Sequence, residues 1–344
     1  MSAETSKWLN TMTLQGFTKQ RGHAWHYDVS AQDAESNHYP GAIPFEDVKR
    51  RLFYWVATEG AVSTRVRVGG KWRTVKVPGK KSLSHPETGE VFSIVGKSFA
   101  THNYYPWLVE NFQTVLDTQE LNIGSAGLLK GGAQAWVQIE LDETVEGPGG
   151  IRHRPFFTGS CVLDGSRSDV YGTGSVLAVC DNTLSSALGN FFAQVKYAHR
   201  KGVEFQPQAV RDKLELLIGT TDAVNAELEA LLGMKVSDAN WEKFVVATIG
   251  KDRPFEAGRG QTNWDGMHDA LTALYRNDDR VAPWQGTGFG ALQAVNTWRH
   301  HVQVAKNVAG GRAERNMINR LDGTNDKADA RSLELLQGVL GLAA

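Results

Sequence analysis

This chain of 344 residues has few cysteines and lacks long hydrophobic segments. Its only cysteines, Cys161 and Cys180, lie outside any CxxC or zinc-type spacing, so we interpret them as reduced, buried thiols in neighbouring strands. No run of about 18 apolar residues occurs, and the first residues show no basic segment followed by an apolar one. These absences predict a protein of the cytoplasm, without membrane contact.

An excess of charge of either sign is also missing. Lys and Arg number 37 against 38 Asp and Glu, which leaves a net charge of −1. Affinity for nucleic acid or for an anionic membrane must therefore come from a local cluster of charge. Hydrophobic residues make up 41% of the chain, and ten of them are tryptophan, which is typical of a folded protein with an extensive core.

The catalytic motifs of common enzymes are absent as well. There is no GxxxxGK[ST] loop and no GxSxG elbow, and Gly172-Thr173-Gly174 lacks the third glycine of a dinucleotide fingerprint. His23, His26 and His38 offer metal-ligating side chains, but their spacing matches no zinc motif. We therefore predict no catalytic residue, no cofactor and no metal site, and we keep an unrecognised enzyme using these histidines as a third hypothesis.

The centre of the chain predicts strand, turn, strand and helix in that order. Apolar and polar residues alternate over residues 133–141 and 154–163, and Asp164-Gly165-Ser166 has the composition of a turn. Apolar residues then recur at helical spacing between Thr183 and Lys201, so we expect a helix there that covers the apolar face of the sheet. The opposite face of the sheet is predicted to stay available for a ligand.

The predicted fold class is α+β, with a twisted antiparallel sheet covered by a helix and followed by a helical C-terminal region. Further helices are expected over Pro44 to Trp55 and Trp107 to Gln119. After Pro207 the apolar spacing becomes helical throughout. We place a domain boundary near residue 205, which gives an α+β domain over 1–205 and a mainly helical region over 206–344.

A β-hairpin is predicted around Gly69-Gly70, which separates two alternating runs. Pairing across this turn sets Arg67 opposite Trp72. One face then collects Val66, Val68, Val75 and Val77, which we expect to pack on a core. The opposite face collects Arg65, Arg67, Trp72, Thr74 and Lys76.

The second face of this hairpin is the strongest candidate for binding. Seven basic residues and no acidic residue occur between Ala61 and Lys81. Such a face suits phosphate contacts and base stacking, whereas the alternative is a solvated surface on which arginine stems cover the indole. Trp136 and Arg154 extend the candidate site to the polar face of the sheet. The candidate nucleic-acid-binding residues are Arg65, Arg67, Trp72, Lys76, Lys80, Lys81, Trp136 and Arg154.

Several stretches along most of the chain together carry a resemblance to a known family. They are Gly16–Thr18, Arg21–His26, Ser36–Pro44, Ser125–Leu129, Gly132–Val137, Leu163–Ser166, Val179–Leu184 and Gly288–Val295. With these stretches the chain resembles a phage- and plasmid-like family called domain of unknown function 932. The resemblance implies a phage or mobile-element origin in a bacterial host, and it supplies no activity.

A shorter part of the chain comprises the turn Asp164-Gly165-Ser166 followed by Asp169–Gly172, Ala178–Leu184 and Ala187–Asn190. This succession is similar to single-strand annealing proteins of the Rad-fifty-two type. Ser185 and Ser186 stand where that group has basic residues, which argues against phosphate contacts from this part of the chain. The likeness implies binding of single-stranded DNA and, in recombination, annealing of complementary strands without ATP by a homo-oligomer. The competing hypothesis is a host-interaction or regulatory protein without affinity for nucleic acid.

Overall fold

The structure is a computed structural model that describes most of the chain. The longest stretches outside the described residues fall within 200–220 and 304–323. The described residues are 9–23, 27–32, 34–113, 121–141, 144–177, 183–184, 195–199, 221–279, 281–303, 315, 319 and 324–342. The chain forms two compact units, each assembled from three segments. The first comprises Met1–Asp142, Phe157–Gly172 and Gln194–Leu214, and the second comprises Glu143–Phe156, Thr173–Ala193 and Glu215–Ala344. The domain boundary predicted near residue 205 lies outside the described residues.

The described strands are all paired antiparallel where their register is defined. They are β1 (Thr13–Gln15), β2 (Thr58–Val68), β3 (Lys71–Ser84), β4 (Val91–Gly96), β5 (Leu121–Leu129), β6 (Gln134–Leu141), β7 (Val145–Glu146), β8 (Arg152–Val162), β9 (Asp169–Leu177), β10 (Thr183–Leu184) and β11 (Val195–Tyr197). The described helices lie mainly towards the C-terminus. They are α1 (Thr18–Arg21), α2 (Phe45–Arg51), α3 (Tyr104–Leu108), α4 (221–233), α5 (Asp238–Ile249), α6 (Arg259–Asn277), α7 (Gly288–Thr297) and α8 (Thr324–Leu340). The predicted α+β class is confirmed.

The first unit contains a small sheet in the order β2-β3-β4. Its hairpin has the predicted register, with Arg67 paired to Trp72 and Val68 paired to Lys71. Gly69 and Gly70 have φ angles of 56° and 79°, which is the backbone of a two-residue turn that only residues tolerant of positive φ allow. The hairpin prediction is therefore confirmed.

The valine face of the hairpin does not pack on a core. Val68 is 52% exposed and Val75 is 44% exposed, while Val66 and Val77 are half-buried. The prediction of a buried valine face is wrong, because alternation only sorts side chains onto two faces and does not tell which face another layer will cover.

The larger sheet of the first unit brings β1, β5 and β6 together in that order. Ala135, Val137 and Ile139 of β6 lie in the core, as their alternation predicts. The covering element is α3 with the wider helical turn Val109–Gln113, which contributes Trp107, Leu108 and Phe112 to the same core. This helix begins three residues before the predicted start at Trp107, and residues 114–119 of that prediction lie outside the described residues.

The helix predicted from Thr183 to Lys201 is wrong where the structure describes this segment. Thr183–Leu184 forms β10 and Val195–Tyr197 forms β11, and both pair with β9. Short apolar runs fit a buried strand as well as a helix, and pairing with β9 decided between them. The residues between the two strands, which include Leu188 of the predicted helix, lie outside the described part of the chain.

The second unit has a helical core. Val224, Leu228 and Leu231 of α4 are buried, which agrees with the helical apolar spacing predicted after Pro207. Trp241 of α5 stacks on Tyr275 of α6 with ring centroids 3.9 Å apart, and both are fully buried. The helical C-terminal region is therefore present as predicted.

Candidate functional site

Trp72 is the most prominent exposed side chain of the hairpin. It is 61% exposed, and the Arg65 guanidinium lies 5.6 Å from the centroid of its ring. Arg67, directly opposite Trp72 in the register, donates from Nε to the carbonyl oxygen of Gly70 at 3.3 Å. The indole thus has one guanidinium group near its ring and a second arginine opposite it in the register, and most of its surface stays open to solvent for stacking.

The remaining hairpin cations differ in their surroundings. Lys76 and Lys80 are exposed. Lys81, at the root of the hairpin, donates to Glu59 Oε1 at 2.6 Å and to Thr101 Oγ1 at 3.2 Å, and its side chain is 14% exposed. Its charge is therefore matched by a carboxylate within the protein, which separates it from the cations nearer the turn.

The opposite face of the hairpin is cationic as well. Lys71 pairs with Val68 and Arg73 pairs with Val66, and both cations are exposed. Positive charge therefore surrounds the end of the hairpin, mixed on this face with exposed valines. Alternation predicted a basic and an apolar face, and the register shows that the second face is only partly apolar.

Trp136 and Arg154, the other two predicted site residues, are buried side chains. Trp136 is 2% exposed and pairs with Gly127, where an added Cβ would lie 2.9 Å from the indole ring. Arg154 is 4% exposed and belongs to the second unit. The polar face of β6, expected to be open, is buried too, with Glu140 paired to Arg21 at 2.8 Å. The structure brings together the hairpin members of the predicted site and not these two.

A second group of functional side chains lies elsewhere in the first unit. Asp169 begins β9, His102 precedes α3, and His199 follows β11. His102 Nδ1 lies 2.6 Å from Asp169 Oδ2, and His199 Nε2 lies 3.0 Å from Asp169 Oδ1. Ring stacking of His199 on Phe99, with centroids 4.4 Å apart, holds the imidazole in place. We call these three residues the His-Asp-His cluster.

Electrostatics favour the charged forms of Asp169 and His199. Burial by itself would raise the pKa of Asp169, but its contacts with His102 and His199 prevail and lower it. Burial would lower the pKa of His199, yet its contact with Asp169 raises it. Cys161 is free and buried beside these groups, and burial followed by the Asp169 charge raises the pKa of its thiol well above the usual value. That thiol is therefore not a reactive nucleophile.

Comparison with known proteins places the chain in a family. The model of a domain of unknown function (DUF932) matches residues 91–322. The chain belongs to the DUF932 family. No curated protein and no solved structure matches it.

Membership in DUF932 confirms the resemblance seen in the sequence, whereas the phage origin and the likeness to Rad-fifty-two-type proteins stay predictions. The matched residues include His102, Asp169 and His199 and begin after hairpin β2–β3. In the described part of this DUF932 chain, no helix combines the length and the apolar composition needed to cross a membrane.

Sequence reasoning missed the His-Asp-His cluster. His199 was assigned to the end of a predicted helix, and the three residues are separated by 67 and 30 positions, so no local spacing connects them. The histidines that the sequence did single out behave differently. His23 stacks on Tyr27, and His38 meets Tyr27 edge to face. His38 Nδ1 also contacts Asn37 Oδ1 at 2.7 Å, while His26 lies outside the described residues. The only signal for the cluster was the general one that histidine and aspartate suit metal or proton chemistry.

Proposed function

We propose that this DUF932 protein binds single-stranded DNA through hairpin β2–β3. The observation that carries the proposal is Trp72, 61% exposed and flanked by Arg65 and Arg67. An exposed indole is costly to keep in water, and flanking guanidinium groups make it a platform on which a base stacks while phosphates contact the cations.

The charge distribution of the hairpin supports a polyanion such as nucleic acid as the partner. The chain as a whole carries a net charge of −1, yet the 21 residues from Ala61 to Lys81 carry seven basic and no acidic residues. A local excess of this kind attracts a polyanion and makes its binding sensitive to salt. Most residues on both faces of the hairpin near its turn are exposed, so a strand can approach them without rearrangement of the fold.

Single strands are preferred in this proposal because stacking needs a free base face. The bases of a duplex are stacked on one another and offer only their edges in the grooves. Base pairing would supply sequence specificity if the protein anneals strands, so the protein itself needs only backbone contacts and stacking. Annealing in the recombination of a phage or mobile element, by a homo-oligomer in the bacterial cytoplasm, is the finer form of the proposal.

Fluorescence anisotropy with a labelled oligonucleotide tests the proposal. We expect tighter binding of a single strand than of a duplex of equal length. The logarithm of the association constant should fall linearly with the logarithm of salt concentration, with a slope of about −3 if four hairpin cations each contact a phosphate. Equal affinity for the duplex would reject stacking on Trp72. Absence of binding at low salt would reject the function and leave the host-interaction protein as the better hypothesis.

Light scattering with and without a long oligonucleotide tests the oligomer. Each hairpin offers a small contact area, so repetition along a strand is the expected way to gain affinity. We expect a mass of several chains in the presence of the oligonucleotide. A monomer mass under both conditions would remove annealing and leave simple strand binding.

A further inference from the structure

We propose that His102, Asp169 and His199 bind a divalent transition-metal ion of the zinc class. Each of the three residues offers one ligand atom, and these atoms all lie within 4.8 Å of one another. Two imidazole nitrogens and one carboxylate oxygen form a donor set that suits Zn²⁺, Co²⁺ or Fe²⁺ better than Mg²⁺ or Ca²⁺, which prefer oxygen ligands.

The orientation of His199 is the strongest support. Its Nδ1 lies 2.9 Å from the carbonyl oxygen of Ala100. A carbonyl oxygen only accepts, so Nδ1 carries a proton and, in the neutral ring, Nε2 carries the lone pair. This Nε2 is buried, forms no well-aligned hydrogen bond and faces Asp169 Oδ1 at 3.0 Å. In that state two lone pairs face each other across 3.0 Å, and a metal ion bound to both would stabilise the arrangement, as a proton on Nε2 does when no ion is bound.

The surroundings hold the ligands as protein metal sites usually do. A histidine that ligates a metal commonly donates its other ring N–H to a backbone carbonyl, as His199 does to Ala100. The carboxylate is fixed in the same way, because the backbone N–H of Val162 donates to Asp169 Oδ1 at 3.0 Å. Phe99, stacked on His199 at an interplanar angle of 11°, excludes water from one side of the imidazole.

The dimensions of the cluster are compatible with a metal ion. Ligand atoms about 2 Å from a tetrahedral zinc lie about 3.3 Å from each other. His102 Nδ1 and His199 Nε2 lie 2.6 Å and 3.0 Å from the carboxylate oxygens of Asp169, and these distances need to widen by less than about 1 Å. The shorter distance involves His102, whose side chain is 31% exposed and has room to move. Asp169 and His199 are almost fully buried, at 2% and 4% exposure.

Partial exposure of His102 also gives the ion a path from solvent. Three protein ligands with an open side match the arrangement of zinc sites that keep a position for water or substrate, in contrast to closed structural sites with four protein ligands. The inference does not depend on the proposed binding of DNA, because the hairpin side chains are not part of the cluster.

The test is zinc binding by the full chain after treatment with a chelator. Isothermal titration with Zn²⁺ should show one ion per chain, and the unfolding temperature should rise with zinc concentration. With Co²⁺, the bound ion should develop the visible absorption of a low-symmetry site. We expect His102→Gln to weaken zinc binding at least 100-fold. Loss of a residue that only hydrogen-bonds to a metal ligand already weakens binding by up to about 100-fold, and loss of a ligand itself should cost at least as much.

His268→Gln is the matched control, because His268 lies at the surface in contact with Glu242 and outside the cluster. Its zinc affinity should equal that of the wild type. Of the three cluster residues, His102 is the one to substitute because its side chain is partly exposed, so the variant is expected to fold. Circular dichroism would verify that the His102→Gln variant is folded. A folded wild-type chain that takes up no zinc would show that a proton alone joins His199 to Asp169, and it would overturn the proposal. Unchanged affinity in folded His102→Gln, or loss in His268→Gln, would overturn it equally.

Discussion

Lys81 and Glu59 form an ion pair across adjacent strands at the root of the hairpin, with Nζ 2.6 Å from Oε1. Thr101 completes the contact, since its hydroxyl donates to Glu59 Oε1 at 2.7 Å and accepts from Lys81. The pair removes one cation from the surface offered to a polyanion. The proposed DNA contact therefore concentrates on the exposed cations nearer to Trp72.

The first prediction follows from that pair. Glu59→Gln with Lys81→Met removes both charges together, so the affinity for single-stranded DNA should stay within about twofold. Lys76→Ala should weaken binding and make the salt slope shallower by about 0.7, the loss of one phosphate contact. Anisotropy titrations at several salt concentrations give both numbers. A larger effect from the neutral double variant than from Lys76→Ala would show that the root of the hairpin, and not its end, binds the strand.

Arg65 and Arg67 carry the second prediction. Changing both to Glu should weaken DNA binding strongly and make the salt slope shallower, while far-ultraviolet circular dichroism stays unchanged because both side chains are exposed. Lys243→Glu with Lys251→Glu is the matched control: both residues are exposed in the second unit, and the net charge changes equally. Similar losses in the two double variants would mean that total charge, and not the hairpin, determines affinity.

Trp72 carries the third prediction. Trp72→Ala should reduce the affinity for single-stranded DNA by about 1–3 kcal/mol, the contribution of one stacked base, with the salt slope unchanged. Quenching of tryptophan fluorescence by the bound strand should diminish in the same variant. Phe255→Ala provides the comparison, since Phe255 is fully exposed in the second unit and lies outside the hairpin. If Trp72→Ala binds as tightly as the Phe255 variant, stacking on the hairpin is not part of recognition.

The fourth prediction contrasts the covering helix with the valine face. Leu108 is fully buried in the core of the first unit, so Leu108→Ala should lower the free energy of unfolding by about 2–5 kcal/mol. Val68 is 52% exposed, and Val68→Ala should stay within about 0.5 kcal/mol of the wild type. Urea unfolding measures both. A large cost for Val68→Ala would show that something covers the valine face after all.

The fifth prediction concerns pH and the second unit. Burial lowers the pKa of His153, although a hydrogen bond with Asn225 at 3.1 Å opposes the shift. Its folded-state pKa is below the unfolded value of about 6.5, so the unfolded chain takes up the proton first as pH falls. His153 should therefore cost stability between about pH 7 and pH 5, with a slope of at most about 1.4 kcal/mol per pH unit.

His153→Gln isolates this contribution. The difference in unfolding free energy between wild type and variant should shrink or change sign from pH 7 to pH 5, and it should be constant above pH 7.5, where both states of the wild type are neutral. A difference independent of pH across this range would mean that His153 has the same pKa in the folded and the unfolded chain, and it would contradict the prediction.

Local chemistry in the sequence was enough for some of the fold. Gly69-Gly70 favours the hairpin because two adjacent residues with positive φ form the tight turn that joins twisted antiparallel strands, and the register then follows residue by residue as far as Ser63 and Lys76. The stripe of α4 followed from the spacing of Val224, Leu228 and Leu231. Family membership was also visible, because it rests on the order of residues alone.

The tertiary structure decided what depends on neighbours distant in the chain. Whether the hairpin valines or Trp136 are exposed to solvent depends on which face of each strand another layer covers. The alternation of apolar and polar residues in the sequence does not carry this information. Thr183–Leu184 and Val195–Tyr197 form strands because they pair with β9 through backbone hydrogen bonds. The His-Asp-His cluster forms because the fold brings β9, β11 and the segment before α3 close together. The spacing of the three residues in the sequence does not predict this proximity.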